Sequence, residues 1–230
     1  MKLSIIVPVF NEEKTILEIL KKIDALKNHC NLEVVVVNDG SIDSSKEIIE
    51  KNKKLYSKLI NFEKNFGKGK AVIQGLKFCT HDYVIIQDAD LEYDPKDIIN
   101  FIEENKKYNF EIIMGSRFIG NKRSVLNFWH MIGNKFISFL FNFLNNTTFS
   151  DIYCCYCMIK RDLIHVKRLK CNGWGQQAEI LTYAVTKKTK IFEIGINYNG
   201  RTYEEGKKIR YYNVFSVIYW ILLTRIKKIF

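Results

Sequence analysis

The chain has 230 residues, 47% of them apolar, which is enough for a sizeable core in one large domain or two small ones and excludes a disordered polypeptide. Its formal charge of +11 points to an anionic partner: nucleic acid, a lipid surface or a phosphorylated substrate. The charge is unevenly divided: Met1 to Gly115 carries 17 Lys and no Arg against 19 Asp and Glu, a balance of −2, whereas Ser116 to Phe230 carries 19 Lys and Arg against 6, a balance of +13.

Short β-branched runs alternate with amphipathic ones through the first half, the pattern of β-α units around a parallel sheet. Strands are expected at Leu3 to Val9, Leu32 to Asn38, Tyr83 to Gln87 and Glu111 to Met114, with a weaker one near Leu59 to Phe62. Between them Glu12 to Leu26, Asp43 to Lys54, Gly69 to Phe78 and Pro95 to Tyr108 carry apolar residues at helical spacing. Asp94 before Pro95 supplies a capping carboxylate and a proline at the first helical position. The second half loses this alternation. Ser124 to Leu144 has a long apolar and aromatic face, Tyr156 to Ile159 and Ile191 to Tyr198 read as strands, and Gln177 to Thr186 reads as a helix. A segment GRTYEEGKK (Gly200 to Lys208) leads into a last helix ending in Arg225, Lys227 and Lys228. With two prolines and no Gly/Ser tract there is no linker, so one α/β domain with a doubly wound sheet is expected.

Charge at Lys2 and the early NEE (Asn11 to Glu13) argue against a secretory leader, so a cytosolic, reduced chain is expected. No stretch reaches the roughly 18 apolar residues needed to span a bilayer. Cys154 and Cys157 have the C-x-x-C offset without a second pair, and they read as buried thiols rather than a zinc site. The four histidines are scattered.

Ligands of such sheets gather beyond the carboxyl ends of the strands, and there the sequence is polar: PVFNEE (Pro8 to Glu13), NDGSIDSS (Asn38 to Ser45), QDADLEYD (Gln87 to Asp94) and GSR (Gly115 to Arg117). Asp88 and Asp90 are the sharpest feature. In an extended segment residues i and i+2 project to one side, so Asp88, Asp90 and Glu92 can present carboxylates to one point, as Mg²⁺ or Mn²⁺ beside a diphosphate requires. Such a cation neutralises charge on a leaving nucleoside diphosphate. Asp39, ending the second strand, suits a base N–H or a ribose hydroxyl, or equally a turn with a helix cap. GKGKA (Gly67 to Ala71) lacks phosphate-loop spacing and reads as a basic loop opening a helix, with Lys70 as a phosphate contact.

PVFNEE, VVVVNDGS, NFGKGKAVIQG, QDADLEYDP and GSRF, in that order, resemble family 2 glycosyltransferases of the GT-A fold, in the dolichyl-phosphate mannose synthase-like branch. The likeness continues through FWHMIGN (Phe128 to Asn134), Asp151, the Cys155-Tyr156 pair, Glu179 and GRTYEEGKKI (Gly200 to Ile209). It implies a GT-A domain over residues 1–210, with 1–115 as the nucleotide-sugar half and 116–210 as the acceptor half, followed by an amphipathic basic helix at 211–230. It further implies inverting, metal-assisted transfer of a sugar from a nucleoside-diphosphate sugar to a polyprenyl phosphate. By matching positions, Pro8, Val9, Glu12 and Asp39 hold the nucleoside, Asp88 and Asp90 the diphosphate and Mn²⁺ or Mg²⁺, and Glu92 joins the metal. Arg117 and Arg201, with Lys207, face the acceptor phosphate. The chain departs from the family pattern in DIYCCYC (Asp151 to Cys157), where Tyr153, Cys154 and Cys157 replace an acid, a hydroxyl and a base.

Chemistry also favours a phosphate acceptor. With a second pKa near about 6 a phosphate monoester is already a dianionic nucleophile at neutral pH, whereas a hydroxyl acceptor needs a general base, for which Asp151 and Glu179 are the candidates. The basic half offers guanidinium forks to a dianion. Ser124 to Leu144 and Val214 to Phe230 read as interfacial helices that dock peripherally on the cytoplasmic face of a membrane, although the first also suits a core helix. Two other readings stay open: a transferase acting on a glycan or protein hydroxyl, and a non-catalytic anion-binding protein. Nucleic acid is disfavoured, since no helix-turn-helix, zinc-finger or RNP pattern is present.

Overall fold

The computed structural model describes residues 1–119, 128–201 and 213–229. Lys122, Arg123, Lys207, Lys208 and most of GRTYEEGKKI lie outside the described residues. The first half runs in order as β1 (Lys2–Val9), α1 (Ile16–Asp24), β2 (Asn31–Asn38), α2 (Ser45–Lys51), β3 (Lys58–Asn61), α3 (Lys68–Leu76), β4 (Tyr83–Ile86) and α4 (Ile98–Tyr108). The chain continues with β5 (Ile112–Ser116), α5 (Phe128–Asn145), β6 (Cys157–Lys160), α6 (Gln176–Ala184), β7 (Ile191–Gly195) and α7 (Asn213–Ile229).

The runs Leu3 to Val7 and Val34 to Val37 are almost wholly inaccessible, as strands covered on both faces by helices must be. On α1, Ile16, Ile19, Leu20 and Ile23 form the i, i+3, i+4, i+7 stripe that covers the sheet. This helix starts later than its apolar pattern suggested, because Asn11 takes a left-handed conformation (φ 52°) and the chain turns through Thr15. Asp94 does cap as expected, accepting from the Lys96 amide at 3.0 Å in the turn that opens α4.

Among the described residues seven strands form one sheet in the order β3-β2-β1-β4-β6-β5-β7. Every neighbouring pair is parallel except those of β6, which runs antiparallel to both β4 and β5. This reversal positions the site. The carboxyl rim of a parallel sheet is built from residues that come after each strand, but β6 brings the residues that precede it, Asp151 to Tyr156, to the same rim.

The last helix packs against α5 and α6, burying Val217, Ile221 and Thr224. Lys228, one of the basic residues that end this helix, turns inward and donates to the Thr182 carbonyl at 2.6 Å and to that of Val185, satisfying the last carbonyls of α6.

Candidate functional site

The first two strand-end loops brace one another. The Glu12 amide donates to Ser45 Oγ at 2.8 Å, the Asn11 amide to Ser41 Oγ at 3.1 Å and the Glu13 amide to an Asp43 oxygen at 3.1 Å. In return Asn11 and Glu13 side chains accept from the Ile42 and Ser44 amides at 2.9 and 3.0 Å. Much of the polar sequence here therefore satisfies backbone in a doubly crossed turn. Asp39 does the same one loop further on: buried, it accepts from the Phe66 and Gly67 amides at 2.8 and 2.9 Å. Burial raises its pKa, and those two bonds oppose the shift.

Gly67 (φ 95°) and Gly69 explain the GKGKA run. A Cβ on Gly69 would lie 2.3 Å from the Cys171 carbonyl oxygen, so only glycine lets the start of α3 pass beneath the 171–173 segment. This placement decides between the lysines. Lys70, expected at a phosphate, is exposed, whereas Lys68 points into the rim and pairs with Asp88 at 2.5 Å. Burial works against the Lys68 charge, but Asp88 beside it more than compensates and holds its pKa above the usual value. Its ammonium also lies 5.7 Å over the Trp174 ring and 3.7 Å from Cys155 Sγ. Sequence reasoning missed Lys68; its one signal was the glycine on each side, which marks a close approach of backbone.

The Asp88 to Glu92 segment is a turn rather than an extended strand, with Leu91 left-handed (φ 63°) and the Glu92 amide donating to Asp90 at 3.1 Å. Positive φ at a non-glycine residue is strained, and here it aims Asp90 and Glu92 toward one cation. Thr15 Oγ1 pins this turn by donating to the Ala89 carbonyl at 2.6 Å. Arg201 lies in the resulting cradle. Its guanidinium bonds both Glu12 oxygens at 3.1 Å and Asp90 at 3.2 Å, with Glu92 at 3.6 Å. Tyr198, also missed from sequence, orients Glu92 by donating to it at 2.8 Å. Arg201 was expected to face an acceptor phosphate; the structure commits it to the carboxylates.

Arg117 departs further from expectation. Its side chain is 8% exposed and forms a two-pronged pair with the fully buried Asp151 at 2.7 and 2.8 Å, while its guanidinium lies 5.2 Å over the Tyr198 ring. It is a buried strut behind the site and not an open fork. Asp151 is thereby also removed as a general base. Glu179, the other candidate, is 2% exposed and accepts from the Lys170 and Cys171 amides at 2.9 Å.

The rim therefore gathers Glu12, Asp88, Asp90 and Glu92 around Lys68 and Arg201, four carboxylates to two cations. The surplus falls on Asp90, where burial first, then Asp88 and Glu92, raise the carboxyl pKa against the opposing effect of Arg201. Among the described residues the rim thus gathers two more carboxylates than cations, a balance that suits a divalent cation. The expected trio Asp88, Asp90 and Glu92 does not form a cage, however, since no three such side chains among the described residues enclose a metal position. A cation held here takes its remaining oxygens from a ligand, as Mg²⁺ and Mn²⁺ commonly do from phosphates. Cys154 and Cys157 are buried, and burial raises both thiol pKa values. Pro8 is half-buried and Val9 buried at the end of β1, level with Asn38 of β2.

The sequence profile described as Glycosyl transferase family 2 matches residues 4–166. The chain belongs to this family. It is a glycosyltransferase with the α/β GT-A fold. An uncharacterized protein of Methanocaldococcus jannaschii is 30% identical over 89% of this chain and 93% of its own length. A dolichol-phosphate mannosyltransferase of Pyrococcus furiosus is 28% identical over 96% of this chain but 64% of its own length. An undecaprenyl-phosphate 4-deoxy-4-formamido-L-arabinose transferase of Pseudomonas fluorescens is 26% identical over 89% and 59%, so the chain spans less than two thirds of either named transferase. In fold the glycosyltransferase resembles the glucosyl-3-phosphoglycerate synthase of Mycobacterium tuberculosis in complex with Mn²⁺, UDP and phosphoglyceric acid. That likeness has a TM-score of 0.71 at 16% identity, covering 99% of this chain and 78% of the other.

Proposed function

We propose that this glycosyltransferase moves a sugar, with inversion, from a nucleoside-diphosphate sugar to a polyprenyl phosphate, assisted by Mn²⁺ or Mg²⁺. The observation that carries the reading is the convergence of carboxylates at the rim, where among the described residues Glu12, Asp88, Asp90 and Glu92 gather around Lys68 and Arg201. Asp88 and Asp90 would hold the cation, which supplies a charge sink for the departing diphosphate. Lys68, already beside Asp88, would meet the same diphosphate, and Pro8, Val9, Glu12 and Asp39 would flank the nucleoside on the β1 and β2 side. Arg201 would leave its carboxylates as the cation and donor arrive and turn toward an incoming anion. Arg117 keeps Tyr198, and through it Glu92, in place.

A phosphate acceptor is favoured over a hydroxyl because the second half has no carboxylate to spare at its described rim. Asp151 and Glu179 are committed to Arg117 and to backbone amides, and Glu193 accepts from the Ser150 and Asp151 amides at 3.0 to 3.3 Å. A dianionic phosphate needs no general base. The named acceptors of the two polyprenyl-type relatives support the same choice. A lipid acceptor would be met at a membrane surface, and α5 and α7 offer one: Phe128, Trp129, Phe136, Phe139 and Phe143 stand exposed on α5, and Phe215, Tyr219 and Ile226 on α7. No helix among the described residues is long and apolar enough to cross a membrane, which leaves peripheral docking as the mode proposed.

The test is transfer from labelled nucleotide sugars to undecaprenyl or dolichyl phosphate in Mn²⁺. The lipid product should lose its sugar in mild acid, as a glycosyl phosphate does. An acid-stable glycoside, or transfer only to a hydroxyl acceptor, would replace this reading with the hydroxyl-acceptor one.

A further inference from the structure

The segment that leads into β6 is fastened at almost every residue. Asp151 holds Arg117, and the Asp151 amide donates to Glu193 at 3.3 Å. The Ile152 amide donates to Ser138 Oγ at 3.1 Å and the Cys155 amide to the Tyr93 hydroxyl at 3.4 Å. The buried Gln177 amide group bonds the carbonyls of both Ile152 and Cys154, the two neighbours of Tyr153 in the chain. Tyr153 is the exception. Its ring packs against the core, but its hydroxyl oxygen is sealed from solvent and has no hydrogen-bond partner among the described residues. Leaving a buried hydroxyl unpaired costs about 1–3 kcal/mol, which a ligand that turned the ring toward it would recover.

Strand order shows which residues this segment lies beside. Because β6 runs antiparallel to β4, with Val84 opposite Ile159, the chain before β6 comes level with the residues after β4. The Tyr156 hydroxyl accordingly reaches Gln87, and Cys155 Sγ lies beside Lys68, the partner of Asp88. Tyr153 thus lies in the chain between Asp151, the partner of Arg117, and Cys155, the neighbour of Lys68. A donor laid across the rim places its nucleoside over β1 and β2 and its diphosphate over the end of β4. The sugar, attached beyond the diphosphate, then meets the lead-in to β6.

Building on the donor reading above, we propose that Tyr153 is a specificity-determining residue whose hydroxyl donates a hydrogen bond to an oxygen of the transferred sugar. Two cations nearby favour turning its lone pairs toward them and its proton toward the ligand, so the group it selects is an acceptor oxygen, whether hydroxyl, amide carbonyl or carboxylate. The phenol discriminates as sites built around a buried polar group do: a sugar lacking that oxygen leaves the hydroxyl orphaned.

Calorimetry on the full chain in Mn²⁺ tests this with UDP-glucose, UDP-N-acetylglucosamine, UDP-glucuronate and GDP-mannose beside UDP and GDP, comparing wild type with Tyr153→Phe. The substitution removes one oxygen and no volume, and its melting temperature should equal or exceed that of wild type. Affinity for the best-bound nucleotide sugar should fall about fivefold to tenfold, while affinity for the matching nucleoside diphosphate stays within about twofold. Equal losses for both ligands would move the hydroxyl to the diphosphate, and no loss for either would leave it a packing residue; each overturns the assignment while the donor reading stands. A wild type that binds none of these nucleotides would remove the donor reading and this one together.

Discussion

The two halves of this glycosyltransferase contribute to one rim by opposite means. Residues up to Gly115 carry nearly balanced charge and place carboxylates after parallel strands, where Glu12, Asp88, Asp90 and Glu92 converge on Lys68 and Arg201. Residues from Ser116 on carry the +13, yet among the described residues Arg201 alone brings a charge of that half to the carboxylates, and the rest of its contribution is structural: the buried Arg117–Asp151 pair, the braced Glu179 and the buried Tyr153. Formal charge in a region thus says little about charge at its site. A buried ion pair spends its guanidinium on its own carboxylate, while a surplus of acids in a half of slightly negative balance is felt because four of them share one cleft.

This contrast is open to direct attack. If the first half supplies the charge chemistry, Asp90→Ala should lower transfer by about a hundredfold to a thousandfold in a labelled-sugar assay and weaken donor binding in Mn²⁺. Unchanged turnover would dismantle the metal assignment. If the second half supplies structure, Asp151→Asn should cost about 3–5 kcal/mol in urea unfolding, because Arg117 is then buried without a counter-charge. A loss of activity with full stability would instead give Asp151 a chemical role. The exposed aromatic face sharpens the comparison: Phe136→Ser with Phe139→Ser should reduce binding to anionic vesicles by at least about tenfold in flotation, with the melting temperature preserved, since both rings already face solvent. Retained vesicle binding would remove this face as the docking surface. The smallest change is expected from Arg201→Ala, about tenfold in transfer at limiting polyprenyl phosphate with donor affinity in Mn²⁺ spared. A matching loss of donor affinity would make Arg201 a donor contact and leave the acceptor without a guanidinium.

The first half was legible because parallel strands and their helices repeat a local pattern. Every expected strand from Leu3 to Met114 is found within a residue or two, and PVFNEE, NDGS and QDADLEYD all reach one rim. What those residues do there was less legible. Asp39 and Glu13 serve backbone amides, and Glu92 joins Asp90 through a left-handed Leu91 rather than through extended alternation. The choice of Lys68 over Lys70 rests on the tight passage at Gly69, a contact with residues a hundred positions away in the chain.

The amino-acid order by itself determined the parallel strands of the first half, the family and the acidic segment after β4, because hydrophobic periodicity and short motifs are written in neighbouring residues. Only the tertiary structure decided that β6 runs backwards between β4 and β5, that Arg117 is spent on Asp151, and that Tyr153 buries a hydroxyl that has no partner among the described residues. Each of these depends on which distant segments share a low-dielectric interior. There a charge is kept only beside its partner, and a polar group without one stands out.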